Sequence, residues 1–424
     1  MSFAELGLSA RSLAALDRAG FEAPTPIQTR AIPSALQGKD VIGCAATGTG
    51  KTAAFLLPIL ERLARPHPTA KRGTRALVLA PTRELALQIG AEAQRFGTHG
   101  KDHAVRSAVV IGGVGMGPQS DAFRMGVELI IATPGRLNDH LDRGTARLDA
   151  IEVLVLDEAD RMLDMGFKPQ LDRILAKVPR VRQTMRFSAT MAGEVADFAA
   201  RHLKEAVRVD VGRSGATAER ATQQVFLVGQ EEKLALLLAL LGEDELSTLV
   251  FTRTKRRADR VAKALAKAGH AAGVIHADRS QGQRRAALEG FKDGTHRVLV
   301  ATDIAARGID VAEDYVHRIG RTARAEASGR ASSFAAPDEH DLLRGIEKLT
   351  RKTVDRAKVP RDTELFQSNV QATHSPARDD RRPQRSRPPA RQHARRSSGS
   401  SSSSGSSPAP EGKSLGSWKP RRRR

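Results

Sequence analysis

An α/β chain with two parallel-sheet domains in tandem and a disordered basic C-terminal tail is what this sequence predicts. Three observations carry that expectation. Short runs of Val, Ile and Leu alternate with stretches of helical periodicity, the pattern of a parallel sheet covered on both faces. Gly and Ser interrupt the pattern at residues 212–220 and separate two such sets. Beyond residue 359 the periodicity vanishes, and residues 376–424 hold 14 Lys and Arg against three Asp and Glu, among runs of Pro and Ser.

In the first set, residues 1–211, one strand leads through Val41-Ile42-Gly43-Cys44 into a Gly-rich turn. The runs Ala76–Ala80, Leu129–Ala132, Val153–Leu156 and Thr184–Phe187 follow it. In the second, residues 221–358, the runs are Thr248–Thr252, Gly273–His276 and Arg297–Ala301. Each run gives way to polar or Gly-containing residues and then to a helix-like stretch, so site residues are expected at the carboxyl ends of strands. Residues 212–220 read as a flexible linker. Residues 359–424, which carry the only tryptophan, Trp418, bury too little apolar surface to offset their ordering entropy.

A length of 424 residues accommodates two domains and a tail. The formal charge of +21 argues for a soluble protein that meets polyanions. Cys44 is the single cysteine; it reads as a small packed hydrophobe at a strand end, and it excludes an internal disulfide. The start Met1-Ser2-Phe3-Ala4-Glu5 lacks the basic and apolar regions of a signal peptide, and the longest apolar stretch, Leu234–Leu241, is too short for a bilayer. A cytoplasmic location is therefore expected.

Two motifs carry phosphate chemistry. Ala45-Ala46-Thr47-Gly48-Thr49-Gly50-Lys51-Thr52 lies between a strand and a helical stretch. In a P-loop such glycines let backbone N–H groups close round phosphates, a lysine reaches the β/γ oxygens and a hydroxyl such as that of Thr52 ligates Mg²⁺. The run Val153–Leu156 then delivers Asp157 and Glu158, followed by Ala159 and Asp160. Asp157 would hold the Mg²⁺ shell, and Glu158 would orient or deprotonate the attacking water.

With these motifs in place, the sequence resembles the DEAD-box RNA helicases of superfamily 2, most closely their bacterial RhlE-like branch. The resemblance runs from Phe3 to about Ser333 and implies two RecA-like domains, ATP with Mg²⁺ as cofactors, and RNA as partner. Gly20-Phe21-Glu22-Ala23-Pro24-Thr25-Pro26-Ile27-Gln28 looks like the Q motif; Gln28 would pair with the adenine edge and Phe21 would offer a stacking face. Read alone, the prolines form a turn and Gln28 a solvated residue. Pro81-Thr82-Arg83-Glu84-Leu85-Ala86, Gly112-Gly113 and Thr133-Pro134-Gly135-Arg136 match the RNA motifs of the first domain. Of these, Pro81, Thr82, Arg83, Gly113, Thr133, Pro134 and Arg136 are the expected contacts, made to phosphates that position RNA without reading sequence.

Ser188-Ala189-Thr190, together with Asp160, matches the motif that couples nucleotide state to domain closure, and Arg186 stands where the family usually has an apolar residue. In the second set, Gln281 and Arg284 match the QxxR motif, and Ala301 to Asp310 a full motif V. By resemblance Gln281, Arg284, Thr302 and Gly308 approach RNA and Asp310 the ATP ribose. Arg321 and Arg324 of His317–Arg324 would be arginine fingers.

After Asp310 only Val311 and Ala312 precede Glu313-Asp314-Tyr315, where the family inserts a further strand. Loss of that strand would leave the edges of its neighbours open. The expected function is an ATP-dependent RNA helicase that binds RNA without sequence preference and melts short duplexes locally. The alternative is an RNA chaperone or annealing protein whose ATPase is impaired by the missing strand; a DNA-directed translocase is a weaker third reading. Expected partners are single-stranded and short duplex RNA, in settings such as ribosomal precursors or RNA-decay assemblies, with no membrane.

Overall fold

The computed structural model describes residues 1–45, 48–65, 73–97, 105–188, 201–211, 221–302, 315, 318, 329–350 and 352–374. Residues Met1–Ser375 form one compact unit. The expected linker at 212–220, residues 375–424 and the shortened stretch after Asp310 lie outside the described residues.

The first half opens with helices α1 (Ala10–Arg18) and α2 (Pro26–Leu36), followed by β1 (Val41–Ala45) and α3 (Lys51–Leu63). Next come β2 (Ala76–Leu79), α4 (Arg83–Gly97), β3 (Ser107–Val110), α5 (Met116–Arg124), β4 (Leu129–Ala132) and α6 (Pro134–Asp142). It closes with β5 (Val153–Asp157), α7 (Ala159–Asp164), α8 (Lys168–Leu175), β6 (Gln183–Ser188) and β7 (Val207–Val211). The strands form one seven-stranded sheet in the order β3-β4-β2-β5-β6-β1-β7, every pairing parallel.

The continuous apolar runs follow from two buried faces. On β2, β4 and β5, Ala76, Val78, Leu129, Ile131, Val153 and Val155 join one core cluster. Their alternates Leu77, Leu79, Ile130, Ala132, Leu154 and Leu156 join another on the opposite face. Period-2 alternation disappears when both faces are dry. The strands that sequence patterning misses here, β3 and β7, lie at the sheet edges, where half-exposed positions admit Ser107, Arg208 and Asp210.

The second half contains β8 (Ala221–Leu227), α9 (Lys233–Glu243), β9 (Thr248–Thr252), α10 (Lys255–Lys267), β10 (Ala272–Ile275), α11 (Gln281–Lys292) and β11 (Val298–Thr302). Strand β12 (Gly329–Ala335), α12 (His340–Thr350), β13 (Asp355–Ala357) and α13 (Glu364–His374) complete it. Among the described residues its strands form two three-stranded sheets, β10-β11-β9 and β12-β8-β13. Strands β9 and β12 each end a sheet, and Phe334 of β12 packs against the cores of both.

Helix α13 departs from the expectation of disorder beyond residue 359. Val359 and Phe366 are buried with Phe226, Ala235 and Leu236, and Leu365 packs so closely on α9 that a Cβ at Gly242 would lie 2.7 Å from its Cδ2. Three sparse apolar residues, Leu365, Phe366 and Val370, make a weak periodic signal; the groove beside α9 makes them a helix. Among the described residues no helix is long and apolar enough to cross a membrane.

Candidate functional site

Because the large sheet is parallel throughout, its carboxyl edge gathers one loop from every strand, and strand order sorts them. Loops after β1 and β5 carry the phosphate and acidic motifs, and β6 beside them ends on Ser188 of the coupling motif; loops after β2, β3 and β4 carry the expected RNA motifs. Strand β1 sits between β6 and β7, which fixes the floor of the phosphate loop.

Glycine is required at two points of that loop: Gly48 and Gly50 adopt φ of 89° and 91°, where a side chain is strained. A Cβ on Gly50 would also meet Gln28 Nε2 at 2.4 Å. Lys51 opens α3, is only 7% exposed and donates from Nζ to the carbonyl of Ala45 at 2.8 Å. Thr49 and Thr52 flank it, while Ala46 and Thr47 lie outside the described residues.

Gln28 is fully buried, with both ends of its amide engaged. Oε1 accepts from the Thr25 N–H at 2.9 Å and Nε2 donates to the Gly50 carbonyl at 3.1 Å. Rather than facing open solvent, the side chain caps α2 and braces the phosphate loop, so reading an adenine edge requires its spare valences to be uncovered. Phe21 lies edge-on to Phe3 and Phe96, with the Arg95 guanidinium over its ring at 5.8 Å. One stacking face is thereby already covered.

At the end of β5, Asp157 is 2% exposed and accepts from the Glu158 N–H at 3.0 Å. Burial pushes its carboxyl up to about 7, against the pull of the Lys51 ammonium; Glu158 and Asp160 push it further up. Glu158 takes φ 50° and ψ 50°, a left-handed conformation that costs on the order of 1–3 kcal/mol for a non-glycine residue. That turn throws the chain from β5 straight into α7 and leaves the Glu158 carboxylate 3.2 Å from Arg161. A buried carboxylate beside an ammonium and a hydroxyl-bearing helix start is a donor set that suits Mg²⁺: the cation would compensate the desolvation that holds Asp157 near neutrality.

This geometry has a measurable pH signature. The folded pKa of Asp157 is raised above its unfolded value of 3.8. Its contribution to stability is therefore complete below about pH 4 and is lost as pH rises through about 7. Relative to Asp157→Asn, which lacks this titration, the parent's stability should fall by on the order of 4 kcal/mol across that window in nucleotide-free, Mg²⁺-free buffer. Parallel pH profiles for the two proteins in urea unfolding would contradict the assignment.

The coupling group is partly described. Asp160 is 3% exposed and accepts from the Arg161 N–H at 3.0 Å. Ser188 is fully buried at the end of β6 and hydrogen-bonds the Cys44 thiol, whose pKa burial pushes up. Thr190 lies outside the described residues. Arg186, two residues before Ser188, is buried completely between β1 and β5. Burial pushes its guanidinium pKa down, and Asp160, the first of its charged neighbours, pulls it back up.

On the other half of the edge, Thr82 follows Pro81, and its Oγ1 accepts from the Leu85 N–H at the start of α4. Arg83 lies across the glycine pair: a Cβ on Gly113 would meet its Nη1 at 2.2 Å. Gly113, at φ 82°, thus makes room for Arg83. Thr133 and Pro134 open α6, and Arg136 donates to the Val114 carbonyl at 2.9 Å while facing Asp139 at 3.4 Å.

In the second half, Thr302 ends β11 and Gln281 opens α11. The Gln281 Oε1 is buried with no hydrogen-bond donor, a vacancy that suits a hydroxyl. Arg284 departs from the expected RNA contact. Its side chain is 2% exposed and lies 2.8 Å from Glu84 of α4, an ion pair by distance rather than an aligned hydrogen bond. Glu84 belongs to the matched run Pro81–Ala86, but sequence reasoning assigned it no role of its own. Gly308, Asp310, Arg321 and Arg324 lie outside the described residues.

Comparison with known proteins agrees with this geometry. The DEAD/DEAH box helicase profile matches residues 25–198 and the helicase conserved C-terminal domain residues 232–326. The chain is 43% identical over 375 residues to the DEAD-box ATP-dependent RNA helicase CshA of Bacillus cereus, covering 85% of this chain and 70% of that protein. To the CshA of Bacillus subtilis it is 41% identical over 389 residues, 88% and 77% of the two chains. Among solved structures, S. cerevisiae Dbp5 bound to RNA and ADP BeF3 is similar, with a TM-score of 0.73 and 29% identity over 88% of this chain and 99% of that one. Mss116p bound to ssRNA and AMP-PNP gives 0.76 and 27% identity, covering 88% of this chain and 82% of that one.

Proposed function

The chain belongs to the DEAD-box ATP-dependent RNA helicases, and from that premise we propose how its residues do the work. It is an ATP-dependent RNA helicase that binds RNA without sequence preference and unwinds short duplexes locally, using ATP hydrolysis. The observation that carries the proposal is the buried pair at the carboxyl edge, Lys51 at 7% exposure beside Asp157 at 2%, set where a strand-to-helix loop can cradle phosphates.

The backbone from Ala46 to Thr52 would hold the phosphates, with Lys51 on the β/γ oxygens. Thr52 and Asp157 would hold Mg²⁺, which supplies charge neutralisation on the phosphates when bound. Glu158 would orient the attacking water and take its proton. Phe21, Gln28 and Asp310 would receive adenine and ribose, and Arg321 and Arg324 would meet the transferring phosphoryl as the two domains close. Asp160, Ser188 and Thr190 would couple nucleotide state to closure.

RNA would lie along the other half of the edge, its phosphates positioned by Thr82, Arg83, Thr133 and Arg136 and by the turns at Pro81, Gly113 and Pro134. Gln281, Thr302 and Gly308 would hold it on the second domain. The unfilled acceptor on Gln281 favours a 2′-hydroxyl and hence RNA over DNA. The tail, with 14 cations and three acids, adds salt-sensitive tethering. Ribosomal precursors and RNA-decay assemblies, in the cytoplasm, are settings that present short duplexes of varied sequence.

Steady-state ATP hydrolysis with and without single-stranded RNA tests this reading, with Lys51→Ala as the control. Strong RNA stimulation that disappears in Lys51→Ala is expected. Absence of hydrolysis in the parent, with RNA binding intact, would reduce the chain to an RNA-binding protein.

A further inference from the structure

Helix α10 sorts its charges in an unusual way. Arg256, Arg260, Lys263 and Lys267 are all exposed, and their spacings of four, three and four residues place them within one narrow wedge of the helix. Directly opposite, Ala258, Ala262 and Leu265 are buried against the sheet of β9 and β11. The four cations are about 5 Å apart and span about 16 Å.

None of the four lies within ion-pair distance of an acid among the described residues, whereas Lys255 and Asp259 on the same helix are engaged. Lys255 pairs with Asp278 at 2.7 Å. Asp259, the only acid on the helix, is turned aside to Arg279 at 2.5 Å and His276 at 3.1 Å. Like charges at these spacings repel one another, and a merely solvated face ordinarily intersperses acids at the same positions. The stripe therefore carries an electrostatic cost that an anionic partner removes.

Its position indicates which anion. Strands β9, β10 and β11 are parallel, so Thr252, Thr302 and Gln281 mark one edge of their sheet. Helix α10 starts at that edge, with Thr254 capping the Arg257 N–H, and runs back from it. The stripe thus begins beside the RNA-facing residues and leads away from them. We propose that this face of α10 is an auxiliary docking surface for the phosphate backbone of RNA, holding the strand where it leaves the second domain. The proposal rests on the RNA reading above. Arg and Lys without interleaved aromatic residues grip phosphates and read no sequence.

The test uses the full chain carrying Arg256→Gln, Arg260→Gln and Lys263→Gln, which keeps the tail's contribution constant. Dissociation constants are measured against salt for three single strands. One is just long enough to saturate stimulation of hydrolysis, and the other two extend it by about five nucleotides, one at the 5′ end and one at the 3′ end, the length of the stripe at ~3.4 Å each. On one of the two extended strands, the log–log salt slope should fall by about two, at roughly 0.7 per lost contact. The short strand's affinity and the RNA-saturated hydrolysis rate should not change. An unchanged slope on both extended strands overturns the proposal, and so does equal loss on the short strand, which would put these side chains inside the cleft. Failure of the helicase reading itself appears separately, as a parent chain whose hydrolysis RNA does not stimulate.

Discussion

Arg284→Ala should lower RNA-stimulated ATP hydrolysis by about 10²–10³-fold while leaving the low basal rate nearly unchanged. The Arg284 side chain is 2% exposed and touches Glu84, itself 22% exposed, across the two domains. Breaking a buried pair by removing one partner costs about 3–5 kcal/mol, because the other charge is left desolvated. Exposure of Glu84 brings the expectation to the lower part of that range. The effect falls on the stimulated rate because Lys51 and Asp157 sit wholly in the first domain, whereas this pair forms only when α11 meets α4. Glu84→Ala should behave alike, and the swap Glu84→Arg with Arg284→Glu should recover part of the loss. Single variants with normal stimulation, or a swap no better than either single, would show that the pair does not contribute to closure.

Arg186→Leu should destabilise the first domain by about 3–5 kcal/mol, although leucine is the more usual kind of residue for a central strand. Arg186 has no exposed surface, and its guanidinium is the cation that offsets the buried carboxylate of Asp160. Leucine would strand that carboxylate beside Asp157, whose own charge burial already disfavours. Removing both charges, in Arg186→Leu with Asp160→Leu, should be less damaging than the single change, since apolar replacement of a whole buried pair is often nearly neutral. Urea unfolding of the parent, both singles and the double closes the cycle. An additive double variant would separate Arg186 from Asp160, and the departure from the family's apolar residue would then need another cause.

Much of the first domain was legible because its signals are local. A five-residue apolar run buried on both faces has few alternatives, so β2, β4, β5 and β6 fall within a residue or two of their expected places. The phosphate loop was legible because Gly48 and Gly50 must take positive φ and a lysine must follow them. Strands β8, β12 and β13 were not: Ala-Thr-Gln-Gln and Gly-Arg-Ala-Ser-Ser become strands only by pairing with one another. Helix α13 was hidden for the same reason, as its apolar residues are too few to announce a helix without the groove on α9.

By itself the sequence determined the chemistry: two domains, a phosphate loop, paired acids after a strand and a basic tail, because residue type and short spacing dictate these. Tertiary structure alone decided what each side chain does in the assembled protein. It turned Gln28 inward to brace Gly50, fitted Arg83 over Gly113, set Arg284 against Glu84 and buried Arg186 near Asp160. These pairs lie 22, 30, 200 and 26 positions apart in sequence. A charge or an amide chooses its partner by proximity and desolvation, which chain spacing does not encode and packing does.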